Sequence, residues 1–245
     1  MDGADRAAVA TFYAPGDWGE LVALDEGAAH HAAVKRLAVG DAIRLTSGDG
    51  RRIHARIATL ARRRLDVECD HASLEIVPRP PHVTLWAPIG DRDRMLMLAE
   101  KAVELGVSTW RSVGYRRSRS VSPRGEGPAF HEKLRLRMVA ALEQSGGAWL
   151  PVIEPEMGAI SVISTALDGH GVLLDALGQP IVEVLRGLHV PLVLACGPEG
   201  GLDPSERAAF ADNGWRTASL APNVLRFETA AIAALALARA LLRST

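Results

Sequence analysis

At 245 residues, 48% hydrophobic and 23% charged, the chain is long enough to bury a substantial core, as one large domain or two modest ones. Its formal net charge of −1 excludes an overall basic field, so any nucleic-acid surface must be local. The only cysteines, Cys69 and Cys196, fit neither a disulfide framework nor zinc-ligand spacing, and no charged-then-apolar leader opens the sequence, so a reducing cytoplasm is expected.

In chain order, His30-His31 comes first as a possible metal ligand pair, but no second Cys/His group has ligand spacing and no metal is expected. Three segments then alternate polar and apolar residues as half-buried strands do: Asp41 to Leu45, Arg52 to Ile57 and Arg64 to Cys69. Ser47-Gly48-Asp49-Gly50 between the first two is a turn signal. Residues 1–76 therefore read as a small β-rich barrel. Arg51, Arg52 and Arg56 with Arg62, Arg63 and Arg64 give it a weak basic face, diluted by Asp49, Asp66 and Glu68.

Val77-Pro78-Arg79-Pro80-Pro81-His82 removes backbone donors and biases each pre-proline residue toward extended conformations, which marks a domain boundary. Residues 82–245 then read as an α/β domain. Val83 to Ala87 predicts a strand, and Met95, Leu98, Ala102 and Leu105 recur at helical spacing up to the stop signal Gly106. Arg111 to Arg124 holds five arginines and no acid, with Tyr115 inside it, a composition suited to phosphate contact and base stacking. Ser118 to Gly127 is the candidate mobile loop. A helix with apolar face Phe130, Leu134, Met138, Ala141 and Leu142 follows, then strands near Val172–Leu174 and Pro191–Cys196. The stretch from Ala230 to Leu242, interrupted by Arg239, falls short of the roughly 20 residues that span a bilayer and reads as a buried helix.

Two segments carry the chemistry. Leu192 to Cys196 runs into Gly197-Pro198-Glu199-Gly200-Gly201-Leu202, and Asp203-Pro204-Ser205-Glu206 has the N-cap, N1 proline and N3 glutamate of a helix start. The three glycines let the backbone turn sharply and approach a ligand. The loop is neither G-x-G-x-x-G nor a P-loop, which excludes dinucleotide and nucleoside triphosphate sites of those kinds. The second segment, Leu220 to Ala230, holds Arg226 and Glu228, which taken alone read as capping or pairing residues.

Together, Gly197-Pro198-Glu199-Gly200-Gly201 and Leu220-x-x-x-x-Leu225-Arg226-x-Glu228-Thr229-Ala230 resemble the paired C-terminal signature of SPOUT methyltransferases. His30, Val34, Arg36, Gly40 and Asp41, Lys101 with Glu104-Leu105-Gly106-Val107, and Glu143-Gln144-Ser145 extend the resemblance over nearly the whole chain to the RsmE family of 16S rRNA uracil-N3 methyltransferases. Ala221, Asn223, Arg116 and Gly147 depart from that family's usual Gly, Arg, Glu and Arg.

The resemblance implies a PUA-like domain before a trefoil-knotted α/β domain, an exception to unknotted connectivity. It also implies S-adenosyl-L-methionine as methyl donor, a homodimer, and 16S rRNA of the small ribosomal subunit as partner. Leu174, Gly197, Gly201, Leu220 and Leu225 would line the cofactor site. His30, Arg36, Arg116, Arg117 and Arg119 would meet RNA. Methylation at N3 requires loss of a weakly acidic proton, so Arg226 is expected to stabilise the ring anion while Glu199 or Glu228 serves as base or orienter, Glu228 alternatively holding Arg226. The competing readings are a SPOUT ribose 2′-O-methyltransferase and a noncatalytic RNA-binding assembly protein.

Overall fold

The computed structural model describes residues 10–120, 124–165, 167 and 169–242, the side chains of 119 and 120 excepted. The chain falls into two compact units, one holding the residues up to Arg79 with Val139–Leu150, the other Pro80–Met138 with the residues from Pro151 on.

The smaller unit carries β1 (Thr11–Tyr13), β2 (Leu21–Leu24), α1 (Glu26–Val34), β3 (Ala42–Thr46), β4 (Arg51–Ala61) and β5 (Arg64–Ile76). Its sheet has the order β1-β3-β4-β5-β2, antiparallel except for β1 beside β3. Alternate residues Ile43 and Leu45, Ile53, Ala55 and Ile57, and Leu65 and Val67 point inward around Phe12, as period-two patterning requires. The helix α1 was not legible from apolar periodicity, because it buries only Ala29 and Ala32; Asp25 starts it by accepting from Ala28 N at 2.8 Å. His31 is a packed residue: its Nδ1 lies 3.3 Å from Glu143 Oε2, and its ring centroid is 5.4 Å from that of Phe12. Glu143 Oε1 also accepts from Tyr13 N at 2.9 Å, and burial pushes the Glu143 carboxyl above its ordinary range.

The larger unit continues with β6 (Val83–Pro88), α2 (Arg92–Glu104), β7 (Thr109–Gly114), a 3-10 turn (Arg116–Ser120), α3 (Pro128–Ser145), β8 (Val152–Gly158) and α4 (Ala159–Ile163). Then come β9 (His170–Pro180), α5 (Ile181–Leu185), β10 (Leu192–Cys196), α6 (Pro204–Asp212), β11 (Arg216–Ser219) and α7 (Phe227–Leu241). Of α3, the residues after Met138 belong to the smaller unit. The six strands form a parallel sheet in the order β11-β9-β10-β6-β7-β8. Val193 and Ala195 pack with α4, Phe210 and Trp215, while Leu192, Leu194 and Cys196, pointing the other way, are equally buried. Both faces are thus covered, which is why β10 reads as an unbroken apolar run.

All five apolar positions of the α3 stripe are buried, and burial of each of the four large ones, Phe130, Leu134, Met138 and Leu142, is worth about 1.5–3 kcal/mol. Arg239, the charge inside the apolar C-terminal stretch, donates from its guanidinium to the carbonyls of Leu105, Pro81 and Gly106, and its burial lowers its pKa to about 10. No described helix is long and apolar enough to cross a membrane.

Candidate functional site

A cleft of about 540 Å³ opens at the carboxyl end of β10, beside Leu174 to Ala176 in the middle of β9, where open parallel sheets collect their ligands. Its shape comes from a break in pairing. Thr217 of β11 sits beside Leu173 of β9, but the next residue, Ala218, sits beside Gln179, so Leu174 to Gly178 leave the ladder between those two points. Leu174, Asp175 and Ala176 line the cleft on that excursion. The excursion closes at Gly178, where a Cβ would lie 2.6 Å from the Ala218 Cα.

The glycine loop after β10 forms a second wall. Gly201 turns with φ +72°. Asp203 caps α6 by accepting from Ser205 N at 3.0 Å, and Glu206 closes the capping box by accepting from Asp203 N at 2.9 Å. The other oxygen of Glu206 accepts from Arg116 N at 2.8 Å, so one buried carboxylate fastens both the helix start and the turn after β7. Gly200 corrects the expectation that all three glycines serve the ligand: it is absent from the cleft wall, and a Cβ there would lie 3.0 Å from that of Arg117. It is small because another segment packs on it.

The third wall is the loop from Leu220 to Phe227. Leu174, Leu202, Leu220 and Leu225 make an apolar interior suited to a flat ring system, and the charged groups sit around it: Asp175 with Arg207 at 2.7 Å, and Glu199, Arg94 and Arg226. Cys196 also lines the cleft, and burial pushes its thiol up to about 12, so it is inert as a nucleophile. Among the described residues no group of three or more His, Cys, Asp or Glu side chains is arranged to hold a metal ion.

The structure brings Leu174, Gly197, Gly201, Leu220, Leu225, Glu199 and Arg226 together around this one cleft. Glu228 does not line it. The Glu228 side chain is 6% exposed and its Oε1 lies 3.9 Å from Arg94 Nε, not against Arg226 as one reading expected. Arg116 and Arg117 are exposed beside the glycine loop, Arg116 at 3.5 Å from Asp203 and Arg117 donating to Gly200 O at 3.3 Å. For Arg119 only the backbone is described. His30 and Arg36 belong to the smaller unit, both exposed, Arg36 with φ +56° just past α1.

Two expectations for the arginine-rich stretch change. Tyr115 cannot stack on a base, because it is buried in the core with Val113, Trp86 and Leu202, and burial raises its hydroxyl well above the ordinary tyrosine value. Arg111 is half-hidden and bonded to Glu154 at 2.6 Å. Of the candidate mobile loop, residues 121–123 lie outside the described residues; around them Arg116–Ser120 is a 3-10 turn and Gly125 N donates to Gly90 O at 3.0 Å.

Sequence reasoning missed Arg94 and the pair Asp175–Arg207. A signal existed for Arg94: it is a cation in the first turn of α2, where the helix dipole disfavours positive charge, directly after a strand of the parallel sheet.

Comparison with known proteins shows the family and the fold of the chain. A family model described as an RNA methyltransferase domain matches residues 78–239, and one described as an RNA methyltransferase PUA domain matches residues 24–68. A Ribosomal RNA small subunit methyltransferase E of Mycobacterium bovis is 28% identical over 229 residues, covering 89% of this chain and 86% of its own. The protein of the same description from Rickettsia conorii is 28% identical over 225 residues, covering 86% and 87%. A Legionella pneumophila structure described as a methyltransferase in complex with the bound cofactor SAM has a TM-score of 0.81 at 26% identity, covering 94% of this chain and 96% of its own. The Neisseria gonorrhoeae Ribosomal RNA small subunit methyltransferase E, bound to S-adenosyl methionine, shares the fold with a TM-score of 0.83 at 24% identity, covering 93% and 95%.

Proposed function

The chain belongs to the RNA methyltransferase family, and from that premise we propose that it uses S-adenosylmethionine to methylate N3 of a uridine in 16S rRNA of the small ribosomal subunit. The observation that carries this reading is the cleft at the end of β10 and the middle of β9. It has the size of a small-molecule site, apolar walls for an adenine ring, and charged groups within the same opening. The likeness to relatives described as small subunit methyltransferase E supports the choice of RNA, and the Legionella complex supports the choice of cofactor.

The residues fit the cofactor. Leu174, Gly197, Gly201, Leu220 and Leu225 would hold it, with the glycine backbone free to approach closely. When bound, S-adenosylmethionine supplies an electrophilic methyl group on sulfur. This chain's own task is the uracil N3 proton. Glu199 reaches the cleft and is the carboxylate we assign to accept that proton, while Arg226, at the same opening, stabilises the negative charge left on the ring oxygens. Glu228 stands behind the wall and acts through Arg94.

Arg116 and Arg117, exposed beside the glycine loop, are assigned to RNA phosphates, as are His30, Arg36 and Arg119. The larger unit is read as a SPOUT trefoil knot that dimerises, and the smaller as a PUA-like RNA-binding domain, a reading supported by the family match over residues 24–68.

The test is transfer of labelled methyl from S-adenosylmethionine to small ribosomal subunits or 16S rRNA lacking the modification, followed by nucleoside mass spectrometry. 3-Methyluridine is the expected product. A ribose-methylated nucleoside would overturn the uracil assignment, and absence of cofactor binding in calorimetry would overturn the enzyme reading.

A further inference from the structure

Arg94 is shared between two carboxylates of unequal exposure. Its Nη1 donates to Oε1 of Glu199, whose side chain is 36% exposed in the cleft, and its Nε lies 3.9 Å from Oε1 of Glu228, which is almost wholly buried. The remaining oxygen, Glu228 Oε2, is buried with no hydrogen-bond partner among the described residues. A buried carboxylate in that condition is costly unless a cation stands beside it, and Arg94 is the cation within ion-pair distance.

The placement of Arg94 has no local reason. It occupies the first turn of α2, where Asp91 Oδ1 accepts from its backbone N at 3.0 Å and the helix dipole opposes its charge. Tertiary packing brings it to the cleft. At Gly90, on the turn that leads into α2, a Cβ would lie 3.1 Å from the Phe227 ring, so the start of α7 seats tightly on this turn. Three segments therefore meet at one guanidinium: the first turn of α2, which carries it, the glycine loop after β10 through Glu199, and the first turn of α7 through Glu228.

We propose that Arg94 is a positioning residue of the methyl-transfer site, anchored from behind by Glu228 and orienting Glu199 into the cleft. The two partners differ in permanence. Glu228 cannot leave, because it is buried behind the wall; Glu199 is exposed enough to exchange Arg94 for a substrate donor while Arg94 falls back on the unpartnered oxygen of Glu228. This rests on the reading of Glu199 as proton acceptor and extends it to two residues that never need to touch the RNA.

The experiment is a double-mutant cycle on the full chain with Arg94→Met, Glu228→Gln and both, with Arg94→Lys as the charge-keeping control. Turnover of Arg94→Met and of Glu228→Gln is each expected to fall about tenfold to a hundredfold, and the double variant no further than Arg94→Met alone. Arg94→Lys keeps the charge but offers one ammonium where the guanidinium meets two carboxylates, so it recovers only part of the loss. Calorimetric affinity for S-adenosylmethionine stays within about threefold in all four.

Thermal unfolding without ligand gives an independent readout: Arg94→Met lowers the melting temperature by stranding a buried carboxylate, and adding Glu228→Gln raises it again. Multiplicative losses of turnover in the double variant, wild-type turnover in Arg94→Met, or a loss wholly explained by cofactor affinity would each overturn the proposal. If the wild-type product is a methylated nucleoside other than 3-methyluridine, the uracil reading fails by itself, and the same cycle on that product still decides the role of Arg94.

Discussion

Among the described residues Arg226 lines the cleft as an exposed guanidinium with no ion pair, whereas Arg94 and Arg207 at the same opening are each paired with an acid. A cation kept unpaired at a ligand opening is available for charge that develops only during reaction. Arg226→Ala is therefore expected to lower turnover by about a hundredfold to a thousandfold while leaving cofactor affinity within about threefold, read by single-turnover kinetics beside calorimetry. Equal turnover would remove Arg226 from the chemistry.

In the smaller unit, Asp49 illustrates a different residue-scale effect. Hydrogen bonds from Arg51 and Ser47 hold its carboxyl down at about 2, below the unfolded value of about 3.9. A depressed carboxyl contributes stability above its unfolded pKa and loses it as pH falls through the folded one. Its side chain is 57% exposed, so the contribution is under about 1 kcal/mol after solvent screening. Urea unfolding should find Asp49→Asn less stable than wild type above about pH 4 and equal to it near pH 2. A difference independent of pH would contradict this.

At the scale of elements, the site is held by the ends of strands and the beginnings of helices. Glu206 is the clearest case: its two oxygens accept from Asp203 N and Arg116 N, and it is 1% exposed. Glu206→Ala leaves both part-buried amides without their acceptor, a loss of about 1–3 kcal/mol in urea unfolding. If stability changes by less than about 0.5 kcal/mol, the capping box does not fasten the loop. Gly178 is the counterpart on β9. Gly178→Ala sets a methyl against the Ala218 backbone, which should push the Leu174–Ala176 excursion out of shape, costing about 2 kcal/mol and weakening cofactor binding by more than about tenfold in calorimetry. Unchanged binding would mean that the excursion does not shape the cofactor wall.

For the whole molecule, the two units are not two consecutive stretches of chain. The smaller one includes Val139–Leu150, which supplies Glu143 to Tyr13 and His31, and the Gly147 carbonyl that accepts from Thr46 Oγ1 at 2.8 Å. A fragment ending at Arg79 lacks all of these partners and should show no cooperative urea transition by circular dichroism, although it contains every strand of its sheet. A sharp transition in that fragment would make the later segment dispensable.

Much was legible in the residues themselves. Period-two alternation marked β3, β4 and β5, helical spacing marked α2 and α3, the proline joint fell where the compact units divide before β6, and Asp203-Pro204-Ser205-Glu206 announced the start of α6. These are local signals: backbone propensity, capping chemistry and amphipathic period act within a few residues, so sequence alone determines them. The helix α1 escaped because a stripe of two buried alanines has no contrast. What only the tertiary structure decided is which groups meet. Tyr115 in the core, Gly200 under Arg117, Glu206 joined to Arg116 and Arg94 between Glu199 and Glu228 all pair residues from distant segments. No local rule fixes such pairings, because they depend on how the strands order in the sheet and on the register break that opens the cleft beside β9.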